Sequence, residues 1–180
     1  EELGQADNTM LWFCSDNGPE RGTPGTAGPF RERKRSLHEG GVRVPGFVIW
    51  PNQIKSNQVI GVPAVTSDYL PTVIDYLGID YPDADRPIDG KSLKNVLAGE
   101  ETERNKSIGF QFANQKSWVT DQYKLITKDA GGSYELYDLI EDKGETKDIA
   151  KGNKKLVESM KQELLAWVES CSRSDQELDY

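Results

Sequence analysis

Apolar residues along this chain fall into two patterns, and the change between them organises the reading. Near the start, Thr9-Met10-Leu11-Trp12-Phe13-Cys14-Ser15 and Gly46-Phe47-Val48-Ile49-Trp50-Pro51 are short, nearly continuous apolar runs. Such runs predict strands buried on both faces, as in a parallel sheet. Thr66 to Gly78 switches to helical spacing, with Leu70, Val73, Ile74 and Leu77 as the apolar stripe. Thr66 or Ser67 is the expected N-terminal cap, Asp68 suits the positive end of the helix, and Gly78 is the expected C-terminal stop. Residues 18–29, 52–61 and 79–105 read as loop, with a short helical piece near Leu93–Leu97.

Beyond residue 104 the period shortens. Ile108–Phe112, Ser117–Thr120, Tyr123–Thr127 and Tyr134–Leu139 are short strands separated by turns. They predict an antiparallel meander with one wet face. From Asn153 to Ser170, Leu156, Met160, Leu164 and Trp167 recur at helical spacing, so an amphipathic helix should cover that sheet. The polar tail Ser172–Tyr180 is expected to fray. The chain thus divides into an α/β part over 1–104 and a small α+β part over 105–180.

Composition adds limits. Hydrophobic residues make up 36% and charged residues 29%, a mixture that can bury a core. The net charge of -8 argues against non-specific nucleic-acid binding, which needs many cations to neutralise phosphates. No apolar run is long enough to span a bilayer. Two cysteines, Cys14 and Cys171, make no disulfide framework and leave the redox compartment open. Cys14, inside an apolar run, is a poor nucleophile candidate. The acidic first residues lack an initiator Met and read as the continuation of a longer chain.

Several residues have types suited to chemistry. Asp16 and Asn17 follow the first apolar run and offer two hard oxygen donors, which suit Ca²⁺ or Mg²⁺. They cannot complete a shell alone, and from these residues by themselves a plain Asn-Gly turn after a strand is the favoured reading. Lys34 sits in the basic stretch Arg31-Glu32-Arg33-Lys34-Arg35, where an ammonium suits a sulfate or phosphate oxygen. The alternative is a solvated basic loop paired with Glu20, Glu32 and Glu39. Glu39-Gly40-Gly41-Val42-Arg43 reads as a structural loop, its glycines permitting close approach and Glu39 with Arg43 able to form a buried bidentate pair. His38, the single histidine, is either an anion contact or a hydrogen-bonded bystander beside Glu39. Trp118, Tyr123, Tyr134 and Tyr137 read as core between meander and helix rather than as a sugar platform.

Taken in order, Ser15-Asp16-Asn17-Gly18, Gly28-Pro29-Phe30-Arg31, Lys34 with Glu39-Gly40-Gly41-Val42-Arg43-Val44-Pro45, Ser67-Asp68-Tyr69-Leu70-Pro71-Thr72, Asp89-Gly90-Lys91-Ser92-Leu93, Tyr123-Lys124-Leu125-Ile126 and Glu135-Leu136-Tyr137-Asp138-Leu139 resemble the sulfatase family of the alkaline-phosphatase-like superfamily. The pattern looks most like its bacterial arylsulfatase and carbohydrate-sulfatase branch. The resemblance implies the C-terminal part of an alkaline-phosphatase-like α/β sheet domain, followed by a small antiparallel sheet packed on a C-terminal helix. It implies Asp16 and Asn17 as metal ligands, usually for Ca²⁺, Lys34 as the residue holding the sulfate group, and a mainly structural loop at Glu39, Gly40, Gly41 and Arg43. It also implies a periplasmic or secreted enzyme acting on a sulfated small molecule or glycan. Glu32 and Arg33 stand where the family commonly has small residues, which puts the local loop path in question. The family's nucleophile, a formylglycine made within Cys/Ser-x-Pro-x-Arg, has no counterpart here. The expectation is therefore an intact sulfuric ester hydrolase whose N-terminal segment supplies that group, and a chain that is inactive alone. Two other readings stay open: a phosphonate or phosphate-ester hydrolase of the same superfamily, and a non-catalytic module binding sulfated glycans through Arg31, Arg33, Lys34 and Arg35.

Overall fold

A computed structural model describes residues 3–81 and 86–179. The irregular stretch expected over 82–85, the first two acidic residues and the last residue of the tail lie outside the described residues. The architecture is mixed α/β. The two opening strands, β1 (Leu11–Cys14) and β2 (Gly46–Ile49), form a two-stranded sheet. They pair antiparallel, with Leu11 opposite Ile49 and Phe13 opposite Phe47. The parallel, doubly buried expectation is therefore corrected. In a two-stranded ribbon alternate side chains face opposite ways, and one helix covers only one side.

That covering helix is α2 (Tyr69–Leu77), entered through a 3-10 turn at Thr66–Asp68 and stopped by Gly78 in the left-handed conformation. Its Tyr69 ring lies 4.4 Å from Trp12, and Tyr76 lies 5.0 Å from Trp50. The helix thus uses its aromatic residues, one turn-pair apart, to meet the ribbon. The expected stripe does not face inward: Leu70, Val73 and Leu77 are exposed, as are Leu11, Phe13, Phe47 and Ile49 on the outer side of the ribbon. The expected N-terminal cap is corrected too. Neither Thr66 nor Ser67 caps the helix; Asp68, which is fully buried, reaches back to the amide of Val65.

Asp68 is also where the chain from 86 onward docks. Its carboxylate accepts the Lys91 amide and both terminal nitrogens of Arg104, at 2.6 and 2.7 Å. Gly90 packs so closely on the Ser67 carbonyl that any Cβ would overlap it. Thr72 accepts the Leu93 amide, just before the short helix α3 (Lys94–Ala98). Asp89-Gly90-Lys91-Ser92-Leu93 therefore serves as a latch on the start of α2.

The meander matches its expectation. β3 (Ile108–Phe112), β4 (Gln115–Val119), β5 (Tyr123–Thr127) and β6 (Glu135–Asp138) pair antiparallel in sequence order. Helix α4 (Lys154–Asp175) lies across one face. Trp118, Leu125, Leu136, Met160 and Leu164 form the core there, and Trp167 lies flat over Gly109. Each fully buried Leu contributes about 1.5–3 kcal/mol, so this interface holds the C-terminal part together. Trp118, Tyr123 and Tyr134 pack between the sheet and α4, as the core reading required; Tyr137 is corrected, for it packs on the opposite face with Leu37 and Ile126. The helix persists through Ser172–Asp175 rather than fraying there.

The second face of the meander is not wet. Leu37, Ile126 and Tyr137 pack on it, with Val42, Phe110 and Leu139 at their edges. The chain over 31–43 covers this face, and Ser117 and Lys124 beneath it are fully buried. Polar residues on a strand predict a solvated face only when nothing else supplies their partners.

Candidate functional site

The end of β1 and the 31–43 segment meet through three glycines. The Gly18 amide donates to the Gly41 carbonyl at 2.9 Å, and the Gly40 amide to the Arg31 carbonyl at 2.7 Å. A Cβ on Gly18 would overlap the Gly40 oxygen, one on Gly40 the Arg31 and Glu32 oxygens, and one on Gly41 the Ser36 oxygen. This is a nest of backbone against backbone that only glycine permits. It places the Asp16–Asn17 tip beside the basic segment, and the Lys34 amide, bonded to the Pro19 carbonyl at 3.2 Å, holds the two chain segments side by side.

Asp16 is exposed at that tip and accepts the side-chain amide of Asn17. Its carboxyl is held below the ordinary carboxylate range, chiefly by the backbone amide of Asn17, with the positive charge of Lys34 contributing. The acid is thus ionised and within the electrostatic reach of the lysine. Glu32 and Arg35, on either side of Arg33-Lys34, have φ of 64° and 73°. Left-handed backbone at a non-glycine residue costs about 1–3 kcal/mol and persists only where surroundings enforce it. Here the enforcement comes from the Gly40 contact and from Gln115, which bonds the Arg35 carbonyl and the Leu37 amide.

Asp16, Asn17 and Lys34 are therefore brought together; His38 and the Glu39–Arg43 pair are not part of that surface. His38 is 1% exposed, with Nδ1 3.0 Å from Glu145 Oε1. Its reading as an anion contact is corrected: its neighbour is a carboxylate and no solvent reaches it. Glu39 opens the one-turn helix α1 (Glu39–Val42), where a loop was expected. Arg43 makes a single 3.3 Å contact to Glu39 rather than a buried bidentate pair, because its guanidinium is drawn over the Phe30 ring. The main partner of Glu39 is Lys124, at 3.0 Å. Lys124 also lies 3.2 Å from Glu145 Oε1, and Glu145 Oε2 accepts the Glu39 amide at 2.6 Å. Arg31 turns inward as well, onto Tyr137 and the Glu145 carbonyl.

Lys124, Glu145 and Arg104 were not singled out by sequence reasoning. Lys124 carried a signal, a lone charge inside the apolar run Tyr123–Ile126. Glu145 and Arg104 sit in polar stretches and carried none. Burial alone would raise the Glu145 carboxyl, but contact with His38, the Lys124 charge and the Glu39 amide together hold it below its ordinary value of 4.5. A folded-state value lower than the unfolded one means stability that is fully present above 4.5 and is lost as pH falls from there through the lowered value. Acid titration of the urea midpoint should therefore show a steeper loss for the native chain than for Glu145→Gln. Parallel acid limbs would disprove this.

Residues 28–170 match the family model described as N-sulphoglucosamine sulphohydrolase, C-terminal. The chain belongs to the sulfatase family. The matched span holds Lys34 and the 39–43 turn, with Asp16 and Asn17 just ahead of it. A sulfatase of Formosa agariphila is 32% identical over 92% of this chain and 34% of its own length. Among solved structures, Ps i-CgsB superposes with a TM-score of 0.83 at 24% identity, over 94% of this chain and 38% of that one. BT4656 in complex with its substrate D-glucosamine-2-N,6-O-disulfate has a TM-score of 0.66 at 25% identity, over 97% and 37%. This sulfatase chain thus spans about a third of the length of the relatives it matches.

Proposed function

We propose that this chain is the C-terminal part of an enzyme that hydrolyses sulfate esters, and that Asp16, Asn17 and Lys34 are its contribution to the active site. The observation that carries this is the glycine nest, which fixes an ionised carboxylate and an amide oxygen beside a lysine that makes no ion pair with any described carboxylate.

The donor set fits a share of a hard-cation site. Asp16 and Asn17 offer two oxygens at an exposed tip, and no group of three or more His, Cys, Asp or Glu that could hold a metal occurs among the described residues. Asp16 and Asn17 would hold Ca²⁺ together with ligands from the remainder of the enzyme. Such a cation, when bound, supplies Lewis acidity toward a sulfate oxygen. Lys34 orients the sulfate group and stabilises its charge. The nucleophile, a formylglycine by family resemblance, belongs to the remainder as well, so the isolated chain turns nothing over. The apolar outer face of the β1–β2 ribbon and the exposed side of α2 favour cover by that remainder. A carbohydrate sulfate as substrate is favoured by the sugar disulfate named for BT4656.

The test uses the intact enzyme and 4-nitrophenyl sulfate. Lys34→Ala should lower kcat about a hundredfold, the usual loss for one charge-stabilising group. Asp16→Ala should release Ca²⁺ during dialysis and lose activity with it. Unchanged hydrolysis in both variants would overturn the assignment.

A further inference from the structure

A groove of about 380 Å³ runs along the seam where the meander meets the start of α2 and its latch. That volume falls within the roughly 300–1,000 Å³ of small-molecule sites. The groove lies apart from the Asp16–Lys34 tip. Trp118 and Trp167 line it from the α4 side of the sheet, whereas the segment bearing Lys34 covers the other side. Asp16, Asn17 and Lys34 are not among its walls.

The two indoles give the groove an apolar wall, their ring centroids 6.1 Å apart. Each indole N–H is already engaged by a carboxylate. Trp118 donates to Glu163 and Trp167 to Asp89, both at 2.9 Å. These bonds orient the acids without satisfying them. Asp89 keeps one oxygen with no described partner, and the second oxygen of Glu163 has only a 3.5 Å contact from Ser159. The turn before β3 supplies Asn105 and Lys106. There Asp121 accepts the amides of Arg104 and Asn105 and holds Asn105 at a φ of 55°. Lys106 donates to the carbonyls of Ile88 and Gly90 at 2.6 and 3.0 Å, which leaves its third hydrogen free. The side chains of Ser67, Asn105 and Ser107, also on the walls, bond to no described residue.

Open donors and acceptors beside indole carbon suit a polyhydroxylated ring. Its hydroxyls meet the polar groups, and its C–H face meets the aromatic wall. Two carboxylates against one ammonium make the walls formally negative, so a sulfated or carboxylated ring is disfavoured. We propose that this groove binds an uncharged sugar ring, at a site separate from the one that holds the sulfate group. The binding does not rest on the sulfate-ester reading, and its test needs no turnover.

That test is saturation-transfer NMR on the intact enzyme. Methyl β-D-glucopyranoside and methyl β-D-galactopyranoside are titrated beside methyl β-D-glucopyranosiduronate. At least one neutral ring should bind with a Kd of about 1 mM, as expected for a ligand of about a dozen non-hydrogen atoms. The uronate should bind at least about fivefold more weakly. Trp167→Ala should weaken the neutral ring about tenfold. Trp167 also packs against the core, so Ser67→Trp serves as a second variant. It fills the groove from an exposed position and should abolish binding while leaving the thermal midpoint unchanged. Lys34→Ala should leave the Kd within about twofold. No binding of either neutral ring, equal binding of the uronate, or native affinity in Ser67→Trp would overturn the proposal. Loss of binding in Lys34→Ala would place the ring at the sulfate site and overturn it too, with the sulfate-ester reading intact. An intact enzyme that binds the ring but hydrolyses no sulfate ester would sink that reading and leave the groove's assignment standing.

Discussion

Replacing Lys124 by methionine is expected to destabilise the fold by about 3–5 kcal/mol, the usual cost of removing one partner from a buried ion pair. Lys124, the second residue of β5, is fully buried, and its ammonium sits 3.0 Å from Glu39 and 3.2 Å from Glu145. Methionine keeps the volume and removes the charge. Two carboxylates would then face each other beneath the 31–43 segment, with His38 as the remaining cation candidate. Each must protonate, move or unfold its surroundings. The effect should be read as a lowered urea midpoint with an unchanged slope. Adding Glu39→Gln to Lys124→Met should recover part of the loss, since the two share one network. A midpoint within experimental error of the native one would mean that the cluster is hydrated and that Lys124 is not what holds the segment down. In the intact enzyme the same variant should lower kcat on 4-nitrophenyl sulfate, because the 31–43 segment carries Lys34.

What was legible in the sequence was local. The meander and α4 announced themselves by period, because Trp118, Leu125 and Leu136 alternate with the other face and Leu156, Met160 and Leu164 recur every four residues. The Asp16–Asn17 pair and Lys34 drew notice only through a family resemblance in the order of short motifs, and the geometry adds that Gly18, Gly40 and Gly41 bring the backbones beside them together. What was illegible is long-range and charged. Glu39 meets Lys124 across 85 positions, and Asp68 meets Arg104 across 36. No periodicity marks such a pair: Lys124 stands out as a lone charge in an apolar run, but nothing in its segment points to Glu39, and Asp68 and Arg104 look like ordinary polar residues in theirs. The same gap produced the two errors of orientation. A short antiparallel meander predicts one wet face, whereas the 31–43 segment covers that face and buries its Ser117 and Lys124. The stripe of α2 was read as inward because Leu and Val outrank Tyr in a hydrophobic pattern, whereas the aromatic faces of Tyr69 and Tyr76 make the contact.

Arg104→Met should cost a similar about 3–5 kcal/mol, by a different route. Arg104 is 1% exposed and grips both oxygens of Asp68, which is fully buried. Asp68 in turn accepts the amides of Val65 and Lys91. Removing the guanidinium leaves a buried carboxylate with two amide donors, too few to replace the lost charge. The strain falls at the start of α2, where Tyr69 meets Trp12 and the ribbon leading to Asp16. Two variants separate the charge from the shape. Asp68→Asn with Arg104→Met removes both ions and keeps one amide acceptor, so it should be less destabilising than Arg104→Met alone. If the double variant is as unstable as the sum of the singles, the two residues act independently and the pair does not fasten the 86–104 segment to α2. A positive coupling on the order of 1–3 kcal/mol places here the anchor that fastens the 86–104 segment to the start of α2, next to the ribbon that leads to Asp16.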